Sequence, residues 1–336
     1  MENINKPKII CLTPVKNEAW ILDKFLKSAS LWADYIIISD QGSTDGSLEI
    51  AKRFPKVTLL ENESLANFNE YLMRKPLFDE ARKIDGNKIL ISLDADEFFT
   101  PNCQETIEWE TLLSAKSGTM LKFPWINICP NFESYWLATS SGNFGYIDDG
   151  IEFTTGIIHT PRSLQPIDHD AIGFNQIKVL HFQYVDWERM KSKQRWYQCF
   201  ELINKVNNPV DIFRGYHHMD AMPEADKKPI PREWIHNYND KGIDITSVYK
   251  QSLLYWEKQV LDYMSQYGIR YFSHLNIWEV SWVGIAKKWD YPNPESYKDP
   301  RNKLEKLANR WLIKTQTKKN KFGVIQCDKI LKLFYK

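Results

Sequence analysis

The chain has 336 residues, of which 43% are hydrophobic and 26% are charged, with a formal net charge of +1. This balance is typical of a globular protein with a sizeable core, and it excludes a disordered chain and a small disulfide-bonded scaffold. The near-neutral charge gives no reason to expect a nucleic-acid partner.

The five cysteines are scattered without CxxC spacing, so neither a zinc knuckle nor a disulfide framework is indicated and a reducing compartment fits best. The first residues carry no basic segment followed by an apolar stretch of signal-peptide length. No later segment approaches the roughly 18 apolar residues of a membrane span. We therefore expect the protein in the cytoplasm.

Strand-like and helix-like patterns alternate over the first hundred residues. The predicted strands are 8–15, 35–39, 57–60 and 88–93. The predicted helices are 20–33, a second one from Ser47 with Thr44 or Asp45 as its cap, and 65–84. Such alternation predicts an α/β fold with a mostly parallel sheet that is covered by helices on both faces.

The rest of the chain divides by composition into an aromatic-rich part and a helical part. Strand-like runs are predicted at 120–123, 156–159 and 177–182, and helices at 187–206, 245–267, 275–289 and 300–315, with an exposed loop at 223–234. We predict one domain over residues 1–205, with two halves at 1–100 and 101–205. Residues 206–336 are predicted to form a mainly helical C-terminal extension.

The C-terminal segment from Arg301 is basic, since only Glu305 and Asp328 are acidic there. Its last part, residues 322–335, mixes apolar residues with lysines, as a helix lying on a surface does. Two interpretations remain open at this point: a solvated helix that closes the fold, and a peripheral contact with a membrane.

Two acidic clusters follow predicted strands. Asp94-Ala95-Asp96 comes directly after an apolar run, where two carboxylates separated by one residue can hold a divalent cation, although a solvated turn has the same pattern. Asp40 begins a turn that contains neither GxGxxG nor GxxxxGK[ST], which disfavours hydride transfer and ATP hydrolysis. Ligands of open α/β sheets bind at the carboxyl ends of the strands, so we expect both clusters at one edge, together with residues 13–18.

These three motifs resemble glycosyltransferase family 2, whose members have the GT-A fold. The matching stretches are TPVKNE at 13–18, DQGSTDG at 40–46 and LDADEF at 93–98. A weaker resemblance continues through HTPR at 159–162 and HFQY at 181–184, followed by Lys193 and Tyr197. Beyond about residue 205 we recognise no further resemblance.

The resemblance implies roles for individual residues. The donor site would lie in residues 1–100, and residues 101–205 would form the acceptor half. In the donor site, Pro14 and Asp40 would contact the nucleobase and Glu18 would lie near the base and ribose. Asp94 would face the ribose and the metal, and Ala95 would also bind the nucleotide sugar. Asp96 and His181 would coordinate a cation, Mn²⁺ or Mg²⁺, and Lys193 and Arg162 would stand near the diphosphate. A hydrogen-bonded core histidine remains the other interpretation of His181.

Family 2 enzymes invert the anomeric configuration, which requires a base for the acceptor hydroxyl. The candidate acids are Asp148, Asp149, Glu152, Asp168 and Asp170. We favour Asp149 as the catalytic residue, because a glycine-flanked acid in a loop between strands can reach an open cleft.

The predicted function is therefore metal-assisted, inverting transfer of a sugar from a nucleoside-diphosphate sugar to a hydroxyl of a glycan or related acceptor. A UDP-sugar is favoured over a GDP-sugar, but Gln41 stands where many relatives have a second acid, which leaves the base open. The alternatives are a sugar nucleotidyltransferase and a non-catalytic glycan-binding protein on the same fold. The loop after the first strand lacks the glycines that a nucleotidyltransferase needs to grip a triphosphate.

Overall fold

The structure is a computed structural model that describes residues 6–62, 68–138, 141–151, 162 and 170–335. The chain divides into two compact units. The first unit consists of Met1–Val185 and Lys227–Lys250, and the second of Asp186–Asp226 and Gln251–Lys336. Residues 186–205, which the sequence analysis assigned to the first domain, lie in the second unit. The domain boundary predicted at residue 205 therefore stays a prediction.

The strands of the described ranges all lie in the first unit and build two sheets. They are β1 (Lys8–Val15), β2 (Tyr35–Asp40), β3 (Val57–Glu61), β4 (Lys88–Ser92), β5 (Glu97–Phe99), β6 (Met120–Phe123), β7 (Trp125–Ile128), β8 (Ser134–Leu137), β9 (Gly142–Ile147), β10 (Ala171–Gly173), β11 (Val179–His181) and β12 (Lys228–Pro229).

The larger sheet has seven strands in the order β10-β6-β9-β4-β1-β2-β3. β3, β2, β1 and β4 run parallel, and β9 runs antiparallel to its two neighbours. Alternate residues of β1 reach opposite faces: Ile9 and Cys11 belong to one core cluster, and Ile10 and Leu12 to another. A strand with apolar residues on both faces is buried between two layers, which explains its continuous apolar run. The predicted mostly parallel α/β sheet is confirmed.

The smaller sheet has five strands in the order β12-β8-β7-β11-β5. β5 begins immediately after Asp96 and pairs antiparallel with β11, so that Glu97 lies opposite His181. β7 pairs parallel with β11 and places Asn127 opposite His181. This sheet therefore brings the second half of the first unit to the residues that follow β4.

The helices of the described residues fall in both units, with α1–α4 and α7 in the first and the others in the second. They are α1 (Leu22–Trp32), α2 (Ser47–Ala51), α3 (Glu70–Arg82), α4 (Ile107–Leu113), α5 (Trp187–Ile203), α6 (Pro209–Tyr216), α7 (Arg232–Asp240), α8 (Tyr255–Tyr267), α9 (Trp282–Lys288), α10 (Lys303–Thr315) and α11 (Phe322–Phe334). The helical C-terminal region is thus confirmed. Within the described ranges, none of the helices is both long and apolar enough to span a membrane.

Four local predictions were wrong. The residue that caps α2 is Gly46, at φ +93°, although the Asp45 side chain does accept a hydrogen bond from the backbone N–H of Ser47. The helix predicted from residue 245 begins only at Tyr255, and the one predicted from residue 275 begins only at Trp282. Part of the loop predicted at 223–234 is strand β12, which pairs with β8. The strand predicted at 156–159 lies outside the described residues.

Candidate active site

The two acidic clusters lie at the same edge of the larger sheet. In the parallel pairing of β1 with β2, Val15 lies beside Asp40. In its pairing with β4, Leu12 lies beside Ser92, which places Asp94 level with Pro14. Asp40 and Asp94 thus flank the end of β1, about two strand spacings or roughly 10 Å apart. The strand pairing thus places the two acidic clusters at one edge of the sheet, as expected from the sequence.

Hydrogen bonds join the loops that follow β1 and β2. The backbone N–H of Asn17 donates to Ser43 Oγ (2.9 Å), and that of Thr44 donates to Asn17 Oδ1 (2.8 Å). The backbone N–H of Ala19 donates to Asp45 Oδ2 (3.0 Å). Asn17 adopts φ +57°, a left-handed conformation that asparagine tolerates better than most residues. These bonds hold the two loops in one shape, so Asp40 is placed by both.

Asp40 is 2% exposed, and only one of its carboxylate oxygens is satisfied. Oδ2 accepts hydrogen bonds from the backbone N–H groups of Gly42 and Ser43, both at 2.9 Å. Oδ1 is buried and has no hydrogen-bond partner among the described residues. Burial lowers the pKa of Lys16, and the nearby charge of Asp40 partly offsets that effect. Asp40 therefore presents a fixed acceptor that a ligand N–H can use.

Asp94 lies between two arginines. Arg74 of α3 donates to Asp94 Oδ1 through Nη2 (2.9 Å) and to Ser92 Oγ through Nη1 (2.9 Å). Arg162 contacts Asp94 Oδ2 through its Nη2 at 2.9 Å and Glu97 Oε2 through its Nη1 at 2.5 Å. The Asp94 side chain remains 31% exposed. Its charge is balanced while its surface stays open to a ligand.

Asp96 is 4% exposed, and its Oδ2 has no hydrogen-bond partner among the described residues. His181 Nε2 lies 3.8 Å from that oxygen, and the other ring nitrogen, Nδ1, bonds Asn127 Oδ1 at 2.9 Å. An amide oxygen accepts, so Nδ1 carries the proton and Nε2 is the basic nitrogen turned toward Asp96. Histidine ligands of metals are oriented by this kind of second hydrogen bond.

Glu97 is fully buried beside these groups. Burial raises its pKa to about 8; the charge of Arg162 counteracts this effect, while Asp94 and Asp96 add to it. Its Oε1 has no hydrogen-bond partner in the part of the chain that the structure describes. Burial alone lowers the pKa of Arg162, but the carboxylates of Asp94, Glu97 and Asp96 outweigh it and raise that pKa above its ordinary value.

Aromatic rings fix the positions of Arg162 and His181. The guanidinium of Arg162 lies 5.5 Å from the centre of the Trp125 ring and 5.1 Å from that of Phe144. Trp125 also stacks on the His181 ring, with centroids 4.8 Å apart and planes inclined by 27°. The Trp125 indole thus contacts both the Arg162 guanidinium and the His181 imidazole, which limits the movement of these two side chains.

A divalent cation fits between Asp96 and His181. Two donors bound to one ion at about 2.1 Å lie roughly 3 Å apart at a right angle and roughly 4 Å apart when opposite, a range that includes the observed 3.8 Å. No group of three or more histidine, cysteine, aspartate or glutamate side chains suited to a metal occurs among the described residues. Ions that act on phosphates commonly take most of their ligands from phosphate and water, so two protein ligands are sufficient.

The remaining predicted nucleotide-sugar residues lie in different surroundings. Pro14 lies at the site edge, opposite Ser39. Glu18 accepts a hydrogen bond from the Trp20 indole through Oε2 (2.7 Å). Ala95 is 2% exposed and belongs to the main core cluster. Lys193 lies on α5 in the second unit, with Nζ 5.6 Å from the centre of the Trp256 ring. Their contacts with a nucleotide sugar stay predictions.

Asp149, the favoured base, is not near the acidic clusters. β9 runs antiparallel to β4, and Ile147 lies beside Ile89, so the loop after β9 is at the beginning of β4. The backbone N–H of Asp148 donates to the carbonyl of Lys88 (3.0 Å). Six residues of strand, or about 20 Å, separate Lys88 from Asp94. This geometry argues against Asp149 as the base, because proton transfer needs contact.

Two of the other candidate bases also lie away from the acidic clusters. Asp148 is paired with Arg82 at 3.0 Å, on the same side of the sheet as Asp149. Asp170 precedes β10, which runs parallel to β6 from its first residue, Met120, and the carbonyl of Asp170 accepts from the Met120 N–H. Glu152 and Asp168 lie outside the described residues.

Three residues of the site received no role from the sequence: Arg74, Asn127 and Glu97, the last of which was included only as part of the LDADEF motif. Arg74 belongs to a helix that reads as surface-exposed in the sequence, and yet it is 6% exposed. Glu97 directly follows the DxD motif, but nothing local shows that it is buried. Asn127 is recognisable only through its pairing with His181.

Comparisons with known proteins bear on the first unit. Residues 10–109 match the model of the family described as Glycosyl transferase family 2. No curated protein matches the chain. Among solved structures, mannosyltransferase PcManGT from Pyrobaculum calidifontis, in complex with GDP-Man and Mn²⁺, is 11% identical, with a TM-score of 0.38 over 95% of this chain and 88% of its own.

Two further solved structures show similarly low likeness. TarS from S. aureus is 11% identical over 94% of this chain and 93% of its own, with a TM-score of 0.33. Glucosyl-3-phosphoglycerate synthase from Mycobacterium tuberculosis, in complex with Mn²⁺, UDP and glucosyl-3-phosphoglycerate, is 20% identical over 35% of this chain, with a TM-score of 0.27. The match spans only 44% of that synthase.

TM-scores this low decide nothing about this chain, so the family match is the finding that bears on it. That match includes all three motifs at the sheet edge. The resemblance to glycosyltransferase family 2 that the motifs predicted is thereby confirmed over residues 10–109, within a sheet of the mostly parallel α/β type.

Proposed function

We propose that the protein transfers a sugar from a nucleoside-diphosphate sugar to a hydroxyl of an acceptor, with inversion at the anomeric carbon and with a divalent cation. The observation that carries the proposal is a pair of buried carboxylate oxygens that have no hydrogen-bond partner among the described residues, Asp40 Oδ1 and Asp96 Oδ2, at one edge of the sheet. A buried carboxylate oxygen without a partner is costly, and a bound ligand removes that cost.

In this proposal Asp40 binds the nucleobase. Its fixed Oδ1 accepts a hydrogen bond from a base N–H, while Oδ2 is occupied by the turn that follows β2. Uracil and guanine both offer such an N–H, so Asp40 alone does not choose between them. A UDP-sugar stays the predicted donor, ahead of a GDP-sugar.

Asp96 and His181 would hold the cation, Mn²⁺ or Mg²⁺, at the diphosphate. When bound, such an ion supplies Lewis-acid stabilisation of the negative charge that the leaving diphosphate gains. Arg162 and Arg74 fix the orientation of Asp94 through both of its oxygens. Because both arginines are already paired with carboxylates, their part in this proposal is to position Asp94.

Inversion requires a base that removes the acceptor proton on the face opposite the leaving group. Of the five acids predicted for this role, Asp148, Asp149 and Asp170 lie at the wrong edge of the sheet, as their strand pairings show. Glu152 and Asp168 are the two remaining candidates, so one of them is proposed as the catalytic base.

Binding of nucleoside diphosphates tests the donor site directly. UDP or GDP with Mn²⁺ should raise the melting temperature, since a ligand that binds only the native state stabilises it, and EDTA should abolish the shift. The products of turnover then separate the alternatives. A glycosyltransferase releases a nucleoside diphosphate, and NMR of the new linkage should show the opposite anomer.

Two outcomes would overturn the proposal. Release of pyrophosphate from a nucleoside triphosphate and a sugar phosphate would identify a sugar nucleotidyltransferase. Metal-independent binding of glycans, without turnover of any nucleotide sugar in a panel, would identify a glycan-binding protein. The cytoplasm and a glycan acceptor stay predictions.

The C-terminal helices favour a peripheral contact with an anionic membrane. In α10 the exposed apolar residues Leu304, Leu307 and Trp311 recur at helical spacing along one face. In α11 the side chains of Phe322 and Phe334 are each 77% exposed. Residues 301–336 carry eleven lysines and arginines and two acids, so two such surfaces repel each other, whereas anionic lipid attracts them.

Vesicle co-sedimentation tests this surface. The protein should bind phosphatidylglycerol vesicles more tightly than phosphatidylcholine vesicles, and added salt should weaken the binding. Phe322→Ser should reduce it, whereas Ile107→Ser, which changes an equally exposed residue of the first unit, should not. Equal binding by both proteins and both vesicle types would exclude this contact.

A further inference from the structure

The second unit contains a cavity of its own. Its volume is about 280 Å³, and every lining residue belongs to the second unit. α5 and α6 contribute much of the wall, and the segment from Met219 to Ala221 contributes another part. This volume lies near the lower end of the range for small-molecule sites, which suits a ligand of one or two sugar rings.

One face of α5 supplies buried polar side chains to this cavity. Gln194, Arg195 and Gln198 all line it and are 8%, 3% and 1% exposed. Gln194 and Gln198 are four residues apart, so they lie on the same side of the helix. A helix face that is buried and polar is unfavourable unless its polar atoms find partners.

Several of these polar atoms have no partner. Among the residues that the structure describes, Gln194 Oε1, Gln198 Oε1 and Arg195 Nε are buried without a hydrogen bond, as is His217 Nε2 on the cavity wall. Each such group lowers the stability of the protein while it is left unsatisfied. Carbonyl oxygens accept and a guanidinium N–H donates, so a ligand that satisfies all of them must both donate and accept. Hydroxyl groups do both.

The charged side chains that line the cavity balance in sign, because Lys191 and Arg195 stand against Asp220 and Glu279. Arg195 Nη1 contacts Glu279 Oε1 at 2.9 Å. Asp220 Oδ2 bonds His217 Nδ1 at 2.9 Å, and this hydrogen bond is the main cause that lowers the pKa of Asp220, with the charge of Lys191 as a further cause. A wall with no net charge attracts neither an anion nor a cation strongly, so it favours a neutral ligand.

The wall also contains aromatic and apolar side chains, including Phe213, Tyr216, Met190 and Met219, next to further polar ones such as Asn276. The apolar surface beside the unsatisfied polar groups distinguishes this cavity from a site for a few structural waters, which needs polar partners on most sides. Aromatic rings pack against the C–H faces of sugar rings. Hydroxyl-binding groups, apolar surface and balanced charge together match a carbohydrate.

We propose that the cavity of the second unit binds a neutral saccharide of one or two rings. Its hydroxyls donate to Gln194 Oε1 and Gln198 Oε1 and accept from Arg195 Nε. This inference uses only residues of the second unit and does not rest on the proposed donor site. It gives the chain a carbohydrate-binding site that shares no residue with the edge where Asp40 and Asp96 lie.

Saturation-transfer NMR tests the proposal with methyl pyranosides of glucose, galactose, mannose and N-acetylglucosamine. The full chain is used with EDTA and without nucleotide, so that the donor site contributes nothing. At least one pyranoside should receive saturation. Gln198→Leu should weaken that binding at least tenfold without lowering the melting temperature, because it replaces an orphaned polar group with an apolar one of similar size.

Two further variants make the result decisive. Ala221→Phe adds bulk to the cavity wall and should also abolish binding. Gln266→Leu changes an exposed glutamine of α8 and should leave binding unaltered. The proposal is overturned if no pyranoside binds to the folded protein, or if binding survives both Gln198→Leu and Ala221→Phe. It is also overturned if inorganic phosphate binds there and competes with the sugar.

Discussion

Arg214 in the second unit and Asp96 in the first are both charged side chains with less than a tenth of their surface exposed. Arg214 uses all its N–H groups: Nε and Nη2 bond Asp328, Nη2 also bonds Thr315, and Nη1 bonds Gln316 and the carbonyl of Leu312. Asp96 leaves Oδ2 without a hydrogen bond among the described residues.

This comparison distinguishes a buried charge that stabilises the fold from a buried charge that is available to a ligand. A buried charge whose hydrogen bonds are all made within the protein stabilises the fold and offers no free atom to a ligand. A buried charge with an unsatisfied hydrogen-bonding atom lowers the stability of the protein until a ligand binds to it. Four predictions test this distinction, in order of decreasing effect.

Arg214→Leu should have the largest effect. It leaves Asp328 buried without its partner, which typically costs about 3–5 kcal/mol of unfolding free energy. Urea unfolding measures the loss. Arg310→Leu, at an exposed arginine of α10, should change the unfolding free energy by less than about 0.5 kcal/mol. A loss of equal size in both variants would mean that the hydrogen bonds of Arg214 contribute no more to stability than an exposed arginine does.

Asp96→Asn should act in the opposite sense. It removes a negative charge near Asp94 and Glu97, so the ligand-free protein should be at least as stable as the wild type. Sugar transfer should nevertheless fall by about 10²–10³-fold, as when an electrostatic contact to a transition state is lost. Steady-state kinetics and thermal unfolding provide both readouts. Asp85→Asn, at an exposed turn, serves as the matched control. Destabilisation of Asp96→Asn would mean that this carboxylate is a structural one.

Asn127→Ala should have a smaller effect. It removes the hydrogen bond to His181 Nδ1 (2.9 Å) and thereby releases the tautomer and the orientation of the ring. Loss of such an orienting partner typically weakens metal binding by about 10–100-fold. The concentration of Mn²⁺ that half-saturates nucleotide binding measures this change. Asn131→Ala, in the exposed turn that follows β7, should leave it unaltered. An unchanged Mn²⁺ requirement in both would exclude His181 as a ligand.

The sequence was sufficient for what depends on local pattern. The apolar run of β1 has the predicted bounds, Lys8–Val15, and the DxD motif stands at the end of a parallel strand as expected. Both follow from periodicity and from the rule that parallel strands end at one edge. The paired loops after β1 and β2 follow less directly, since only the fold shows that Asn17 and Ser43 meet.

The sequence was insufficient where strand direction and long-range pairing decide the outcome. A glycine-flanked acid after a strand looks the same whichever way the strand runs, but β9 runs antiparallel and carries Asp149 to the far edge. Arg74 reads as a surface residue of a helix, and only its bonds to Ser92 and Asp94 reveal that it belongs to the site.

Asp149→Asn should have the smallest effect, a change in transfer rate of less than about twofold. Asp149 lies roughly 20 Å along the sheet from Asp94, which is too far for proton transfer. This distance is also about two Debye lengths in about 0.1 M salt, so the charge of Asp149 is largely screened from the site. Its Oδ1 accepts a hydrogen bond from the backbone N–H of Ile151 (3.0 Å), which asparagine can still do, so stability should also be kept. The kcat of the variant measures the effect. A loss of tenfold or more, with unchanged melting temperature, would restore Asp149 as the base and would mean that this loop moves to the other edge during turnover.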